Sequence, residues 1–131
     1  MRTLVVDASA LGALVFAEPQ AEAMSRALTD ATLVAPALLW FETAAIAAKK
    51  IRLHPELAAQ IQAAFSLALR LPIVTKDIDY VETVNLALTH DLTTYDASYL
   101  WLADYLDAEL ITLDAKLGKI AKGRAGRKKG N

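Results

Sequence analysis

The sequence predicts a three-layer α/β/α domain in which a short parallel sheet of four to five strands lies between two layers of helices. Short apolar segments alternate along the chain with longer segments that have helical spacing, and this alternation is typical of parallel strands joined by helices. The length of 131 residues is enough for one domain with its own core. Apolar residues make up 55% of the chain, and many are alanine, which favours helices.

Four short segments are predicted to be strands because they are apolar, contain β-branched residues and border turn signals. The predicted strands comprise residues 3–6, 32–35, 72–75 and 109–113. Ligands of open parallel sheets bind beyond the carboxyl ends of the strands. The residues that directly follow these four segments are therefore the first places to look for a functional site.

Seven longer segments are predicted to be helices. Pro55 stands at the favoured first position of one of them, and Thr94 is expected to cap another. The last ten residues contain three glycines among basic residues and have no apolar face to bury, so residues 122–131 are expected to form a disordered tail after a domain of residues 1–121. The predicted helices comprise residues 9–16, 21–28, 38–50, 55–69, 77–88, 94–106 and 115–121.

The charges of the chain are unevenly distributed. Residues 1–115 contain all fifteen acidic side chains and seven of the fourteen basic ones, a net charge of −8, and the other seven basic residues follow. No uncharged apolar run reaches the roughly 18 residues of a membrane helix, and no signal peptide is recognised. The chain has no cysteine, which excludes disulfides and thiolate metal sites. A cytoplasmic protein without a membrane segment is expected.

Four acidic residues occur in apolar surroundings, where a charged carboxylate must be paired, neutralised or bound to a metal. Asp7 and Asp114 each follow a predicted strand, so the topology should bring them together. Asp96 opens an apolar helical segment, and Glu42 lies on a helical stripe with Leu38, Phe41, Ala45 and Ile46. Few cationic residues are near them in sequence. A shared cation that prefers oxygen ligands, Mg²⁺ or Mn²⁺, is therefore the leading interpretation.

Each of these residues also has a structural interpretation. Asp7 and Asp114 can cap the helices that follow them, Asp96 can stabilise the first turn of its helix, and Glu42 can pair with an arginine. Other kinds of site are not supported: the sequence has no glycine-rich phosphate loop and no nucleophile elbow, and His54 and His90 are isolated. All four acidic residues together favour a metal site over four separate structural roles.

Four segments of the chain resemble the motifs of the PIN-domain family, and within it the VapC-type toxins of toxin–antitoxin pairs. The Tyr-Asp-Ala-x-Tyr segment around Asp96 and the Thr-x-Asp strand end at Asp114 are the most specific parts. The resemblance covers about residues 2–121. The segments are residues 5–10 (Val-Val-Asp-Ala-Ser-Ala), 36–44 (Pro-Ala-Leu-Leu-Trp-Phe-Glu-Thr-Ala), 92–99 (Leu-Thr-Thr-Tyr-Asp-Ala-Ser-Tyr) and 112–114 (Thr-Leu-Asp).

The resemblance implies an Mg²⁺- or Mn²⁺-dependent endoribonuclease, a hydrolase that cleaves RNA with a metal-activated water. The catalytic residues would be Asp7, Glu42, Asp96 and Asp114. Asp7, Asp96 and Asp114 would bind the metal, and Glu42 would bind a second ion or orient the attacking water. The hydroxyl groups of Ser9 and Thr112 would support metal or phosphate binding.

The resemblance also implies partners: an RNA substrate, a small antitoxin protein and a second copy of the chain in a homodimer. The apolar helices around residues 38–46 and 61–69 are candidate contact surfaces. Members of the family commonly end with a fifth strand, for which residues 118–131 offer no apolar run. Two alternatives remain: an RNA-binding or regulatory module with weak catalysis, and an RNA-processing nuclease outside any toxin pair. The presence of all four carboxylates favours the nuclease toxin.

Overall fold

A parallel sheet of four short strands is the centre of the structure, a computed structural model that describes residues 1–130, with side chains as far as residue 126. The strand order is β3-β2-β1-β4, and all three pairings are parallel. The predicted α/β class and parallel sheet are confirmed, with four strands among the described residues. The strands are β1 (Arg2–Val6), β2 (Ala31–Pro36), β3 (Val74–Lys76) and β4 (Glu109–Ile111).

Seven helices of the described residues 1–130 cover the sheet and pack in two groups. Helices α1 to α4 contact one another, whereas α6 contacts α5, α7 and three of the strands. No helix among residues 1–130 is long and apolar enough to cross a bilayer. The helices are α1 (Ala8–Val15), α2 (Ala21–Leu28), α3 (Leu38–Leu53), α4 (Ala58–Ala68), α5 (Tyr80–His90), α6 (Thr94–Leu106) and α7 (Ala115–Gly130), with a 3₁₀ turn at Pro55–Leu57 before α4.

The hydrophobic core is built around β1, the strand between β2 and β4. Its last three residues, Leu4, Val5 and Val6, are buried, as expected of a parallel strand covered on both faces. Leu100 and Leu102 of α6 belong to the same buried cluster. The carboxyl half of β1 and the inner face of α6 are packed in the core, and the residues just beyond these segments therefore have fixed positions.

The buried face of helix α3 differs from the predicted stripe. The structure buries Leu39, Thr43 and Ala47, whereas Phe41 of the predicted stripe is 81% exposed. The helix is apolar on most sides, so the spacing of its apolar residues does not select one face. Packing against neighbouring elements determines which face is buried. Glu42 is consequently half-buried at the border of the packed face.

Two predicted boundaries at the edges of α6 and β4 are also wrong by one or two residues. Thr93 rather than Thr94 caps α6, because the Thr93 hydroxyl accepts a hydrogen bond from the Asp96 amide at 3.1 Å. Strand β4 ends at Ile111 rather than Leu113. The chain leaves the sheet there because the Thr112 side chain turns to Asp7 and to the Asp114 amide.

Helix α7 is longer than predicted and includes most of the supposed disordered tail. It continues to Gly130, and Asn131 lies outside the described residues. Two contacts anchor it: Leu117 is fully buried, and Arg124 donates from Nε to Asp104 Oδ2 at 2.7 Å while its Nη1 lies 3.1 Å from His90 Nε2. The predicted domain boundary at residue 121 therefore falls within a helix.

Replacing Gly123 by alanine tests the length of α7. A Cβ at Gly123 would meet no atom within 4 Å, so the substitution changes helix propensity and no packing. If residue 123 is helical, Gly123→Ala should stabilise the protein by roughly 0.5–1 kcal/mol, measured by urea unfolding. Gly118→Ala, in the part of α7 that the sequence also predicts, is the matched benchmark. A gain for Gly118→Ala alone would contradict the longer helix.

Candidate active site

Asp7 and Asp114 lie close together because their strands are neighbours. Val6 of β1 pairs with Ile111 of β4, and the Asp7 amide donates to the Ile111 carbonyl at 3.2 Å. Both residues cap helices: Asp7 Oδ1 accepts from the Ala10 amide at 3.0 Å, and Asp114 Oδ1 accepts from the Leu117 amide at 2.8 Å. The capping interpretation is therefore correct for both, and it places both carboxylates at the carboxyl edge of the sheet.

Two hydroxyl groups fix the Asp7 carboxylate. Ser9 Oγ donates to Asp7 Oδ1 at 2.7 Å, and Thr112 Oγ1 donates to Asp7 Oδ2. The two hydroxyls are 3.3 Å apart. Ser9 Oγ also accepts from the Leu113 amide at 2.9 Å, and Thr112 Oγ1 accepts from the Asp114 amide at 3.0 Å. This network joins the start of α1 to the turn after β4 and orients Asp7, which is only 5% exposed.

Glu42 is positioned by a tyrosine rather than by an arginine. The hydroxyl of Tyr99, a buried residue of α6, donates to Glu42 Oε1 at 2.7 Å. Within the described side chains, no arginine or lysine forms a salt bridge with Glu42. Burial raises the pKa of Tyr99 well above its usual range, and the Glu42 carboxylate raises it further. Tyr99 therefore remains protonated and continues to donate to Glu42.

Asp96 is the third residue of α6 and lies in its first turn, as the sequence predicts. Its side chain is partly buried, and its amide is the one that the Thr93 hydroxyl caps. The Thr93 cap and the contact of α6 with the sheet set the direction in which the Asp96 side chain points away from the helix. Like Asp7 and Asp114, Asp96 therefore occupies a position fixed by the start of a helix. Glu42 differs, because it lies inside α3.

The four carboxylates form one electrostatic cluster. Burial raises the pKa of Asp7 above its ordinary value, and repulsion from Asp114 adds to this, although hydrogen bonds oppose it. Burial also raises the pKa of Glu42, with further repulsion from Asp96 and Asp7. The pKa of Asp96 is raised by burial and by repulsion from Asp114 and Asp7, and is lowered in part by the charge of Lys116. Protonation or a bound cation would relieve this repulsion.

The donor set fits a hard divalent cation in chemistry but is not arranged for one. Carboxylate and hydroxyl oxygens are the ligands that Mg²⁺ and Mn²⁺ prefer. However, no group of three His, Cys, Asp or Glu side chains in the described part of the chain is placed to hold a metal ion. Both Asp7 oxygens and one Asp114 oxygen accept hydrogen bonds. Asp7 Oδ2 and Asp114 Oδ1 each keep a further lone pair, but three carboxylates would have to move closer together to share one ion.

Sequence reasoning missed two polar residues of this cluster. Tyr99 lies in the Tyr-Asp-Ala-x-Tyr segment, but an aromatic ring is more typical of a core or an interface than of a site, and its contact with Glu42 spans 57 residues. Lys116 is one of the seven basic residues that follow residue 115. Its position two residues after Asp114, in the first turn of a helix where cations are disfavoured, was the available signal.

The family of the chain is established by a match over most of its length. The model of the PIN domain matches residues 4–123, a range that contains all four carboxylates. The chain belongs to the PIN domain family. A curated relative, "Ribonuclease VapC3" of Pyrobaculum aerophilum, is 31% identical over 121 residues, which are 88% of this chain and 92% of that protein. The predicted resemblance is confirmed.

Two solved structures share the PIN fold of this chain. PAE2754 from Pyrobaculum aerophilum superposes with a TM-score of 0.73 at 22% identity, over 99% of this chain and 98% of that one. VapC20 of Mycobacterium tuberculosis, described as a sarcin-ricin loop cleaving toxin, superposes with a TM-score of 0.67 at 14% identity, over 89% and 94% of the two chains. At these identities the likeness concerns the fold.

The raised pKa values give a pH dependence of stability for the metal-free protein. The folded state holds the proton of Glu42 more tightly than the unfolded chain, in which the pKa of a glutamate has its ordinary value of 4.5. This stabilising contribution is present below that value and is lost as the pH rises through the raised pKa. In EDTA, the contribution of Glu42 to the melting temperature of the protein should therefore be smaller at about pH 7.5 than at about pH 5.5.

Glu42→Gln isolates this effect from the other carboxylates. A glutamine oxygen can still accept from Tyr99, but it carries no charge to be desolvated or repelled. In EDTA at neutral pH the variant should melt at the same temperature as the original protein or a few degrees higher, and its pH dependence should be shallower. Glu109→Gln, at an exposed carboxylate of β4, serves as the control. A large fall in melting temperature for Glu42→Gln would show that the charge is structurally required.

Proposed function

We propose that this protein is a metal-dependent endoribonuclease and acts as the toxin of a toxin–antitoxin pair. The observation that carries the proposal is the cluster of four carboxylates, which come from four different elements and repel one another at the carboxyl edge of the sheet. A relative named as a ribonuclease, 31% identical over most of both chains, supports RNA as the substrate. The name VapC of that relative supports the toxin role.

The proposed cation is Mg²⁺ or Mn²⁺, with Asp7, Asp96 and Asp114 as its ligands. When bound, such a cation polarises a phosphoryl oxygen and lowers the pKa of a bound water. Ser9 and Thr112 orient Asp7. Glu42, oriented by Tyr99, binds a second ion or orients the attacking water.

The proposed reaction is hydrolysis of an RNA phosphodiester bond. A water oxygen bonds to phosphorus and the bond to the ribose 3′-oxygen breaks, which leaves a 5′-phosphate on one fragment and a 3′-hydroxyl on the other. The 2′-hydroxyl of the RNA takes no part in this route. Glu42 is suited to accept the proton of the water, because burial and neighbouring carboxylates raise its pKa toward the range in which a general base works.

The proposed partners are a small antitoxin and a second copy of the chain. Two apolar grooves are available. One lies between α1, α3 and α4 and includes Phe16, Leu57 and Ile61. The other, of about 520 Å³, includes Phe41, Tyr80, Val84 and Tyr95 and borders Glu42 and Asp96 in sequence. Exposed apolar patches of this kind mark protein interfaces. We assign the second groove to the homodimer, because Phe41 and Tyr80 are 81% and 76% exposed.

Asp96→Asn tests the nuclease activity. Purified protein should cleave a mixed RNA pool only when Mg²⁺ or Mn²⁺ is added, and the fragments should carry 5′-phosphates. Asp96→Asn removes a charge of the cluster and should reduce cleavage below detection while the melting temperature in EDTA is kept.

The control for Asp96→Asn is Asp30→Asn. Asp30 lies in the turn before β2, at the opposite edge of the sheet, with a positive φ of 56° that asparagine tolerates well. The Asp30→Asn variant should cleave RNA as the original protein does. Cleavage by Asp96→Asn at the original rate would refute the assignment of Asp96. RNA binding without cleavage by any of the three proteins would instead favour a binding module.

Tyr80→Glu tests the homodimer. A glutamate suits the first position of α5, where the helix dipole favours negative charge, so the fold should be kept while the groove becomes charged. Light scattering after size-exclusion chromatography should show a dimer for the original protein and a monomer for Tyr80→Glu. Leu67→Glu, at an exposed leucine of α4, is the control. If only Leu67→Glu produced a monomer, the dimer interface would lie at α4 and the assignment of the second groove would be wrong.

A further inference from the structure

Lys116 occupies a position that helix stability does not explain. It is the second residue of α7 and follows the Asp114 cap by two residues. The amino end of a helix carries partial positive charge, so a cation is disfavoured there. The Asp114 cap supplies one negative charge at this helix end, but the first turn itself contains no acidic residue. The reason for a lysine at this point therefore lies outside α7.

The Lys116 ammonium is held at the turn between α5 and α6. Its Nζ donates to the Asp91 carbonyl at 2.5 Å and lies 3.6 Å from Asp91 Oδ2. Asp91 ends α5 in a left-handed conformation with φ 53°, two residues before the Thr93 cap of α6. The ammonium is thus positioned by backbone. An ammonium has three donors, and the side chain is 55% exposed, so a ligand can reach it.

The charge of Lys116 acts on the carboxylate cluster without being paired with it. Lys116 lies two residues after Asp114, in the first turn of α7, and its charge lowers the pKa of Asp96. No salt bridge joins Lys116 to any of the four carboxylates in the described structure. Its ion-pair partner is Asp91, which is fully exposed. An exposed ion pair of this kind contributes little to stability. The ammonium is therefore a cation at the rim of the cluster that remains available.

The ligand that fits this arrangement is an anion that also approaches the carboxylates. A phosphodiester chain is such a ligand: the carboxylates repel its phosphates, and a positive charge beside them reduces this repulsion. We propose that Lys116 binds a backbone phosphate of the RNA substrate and holds the chain next to Asp96 and Asp114. This proposal rests on the proposed ribonuclease function, and it assigns to Lys116 a role in binding substrate.

Lys116→Gln tests the proposal in a binding assay that needs no metal. Glutamine keeps a donor for the Asp91 carbonyl and removes the charge. Fluorescence anisotropy of a labelled single-stranded RNA oligonucleotide of mixed sequence, in EDTA and over a range of salt concentrations, gives the affinity and its salt dependence. The slope of log affinity against log salt should be shallower by about 0.7 for one lost phosphate contact. Lys116→Arg should restore both affinity and slope.

The matched control is Lys49→Gln, at an exposed lysine near the end of α3 and about two helical turns beyond Glu42. Its affinity and slope should equal those of the original protein. An unchanged slope for Lys116→Gln, or an equal change for Lys49→Gln, would overturn the proposal. A loss in both Lys116→Gln and Lys116→Arg, with a lower melting temperature, would show that the lysine serves the α5–α6 turn instead, which also overturns it.

Cleavage assays separate this proposal from the proposed function. If the original protein cleaves RNA with added metal and Lys116→Gln does so with an unchanged KM, the nuclease stands and the role of Lys116 is refuted. A higher KM with little change in kcat supports the role. If the original protein cleaves nothing, the nuclease proposal fails, but the metal-free binding slopes still decide whether Lys116 contacts phosphate.

Discussion

The buried carboxylate of Asp7 is the constraint on which the rest of the structure depends. A charged group that is 5% exposed is costly unless it is hydrogen-bonded, and here a backbone amide and two hydroxyl groups supply the bonds. One of these hydroxyls, from Thr112, lies 105 residues away. Satisfying Asp7 therefore requires β1 and β4 to be neighbours with α1 and α7 starting beside them. The sheet order and the site are consequences of the same requirement.

The fold and the candidate site share several residues. Asp7 and Asp114 cap the helices that leave the sheet, and Thr93 caps the helix that carries Asp96. Tyr99 is a core residue of α6 and at the same time the hydrogen-bond donor to Glu42. Local rules of capping and strand pairing thus bring four carboxylates together, and the resulting repulsion is what a cation would relieve.

Much of this arrangement follows from sequence because it depends on local rules. Parallel strands place the residues after them at one edge, so the sequence alone predicts that Asp7 and Asp114 lie close together. The buried face of α3 could not be predicted, because that helix is apolar on most sides and Phe41 is exposed. The extent of α7 depends on the bond from Arg124 to Asp104, a contact between helices. The Tyr99–Glu42 pair likewise depends on tertiary packing.

The unequal burial of the four carboxylates has a consequence for how this domain can change during evolution. Both oxygens of Asp7 accept hydrogen bonds, from three donors in all, so an asparagine there would replace one accepting oxygen by an NH2 group and weaken the network that holds α1 to the turn after β4. Asp114 is exposed and Asp96 is partly exposed, so their replacement disturbs little packing. A lineage that loses the chemistry but keeps the domain is therefore expected to mutate first at Asp96 or Asp114 and to retain Asp7 as a structural relic.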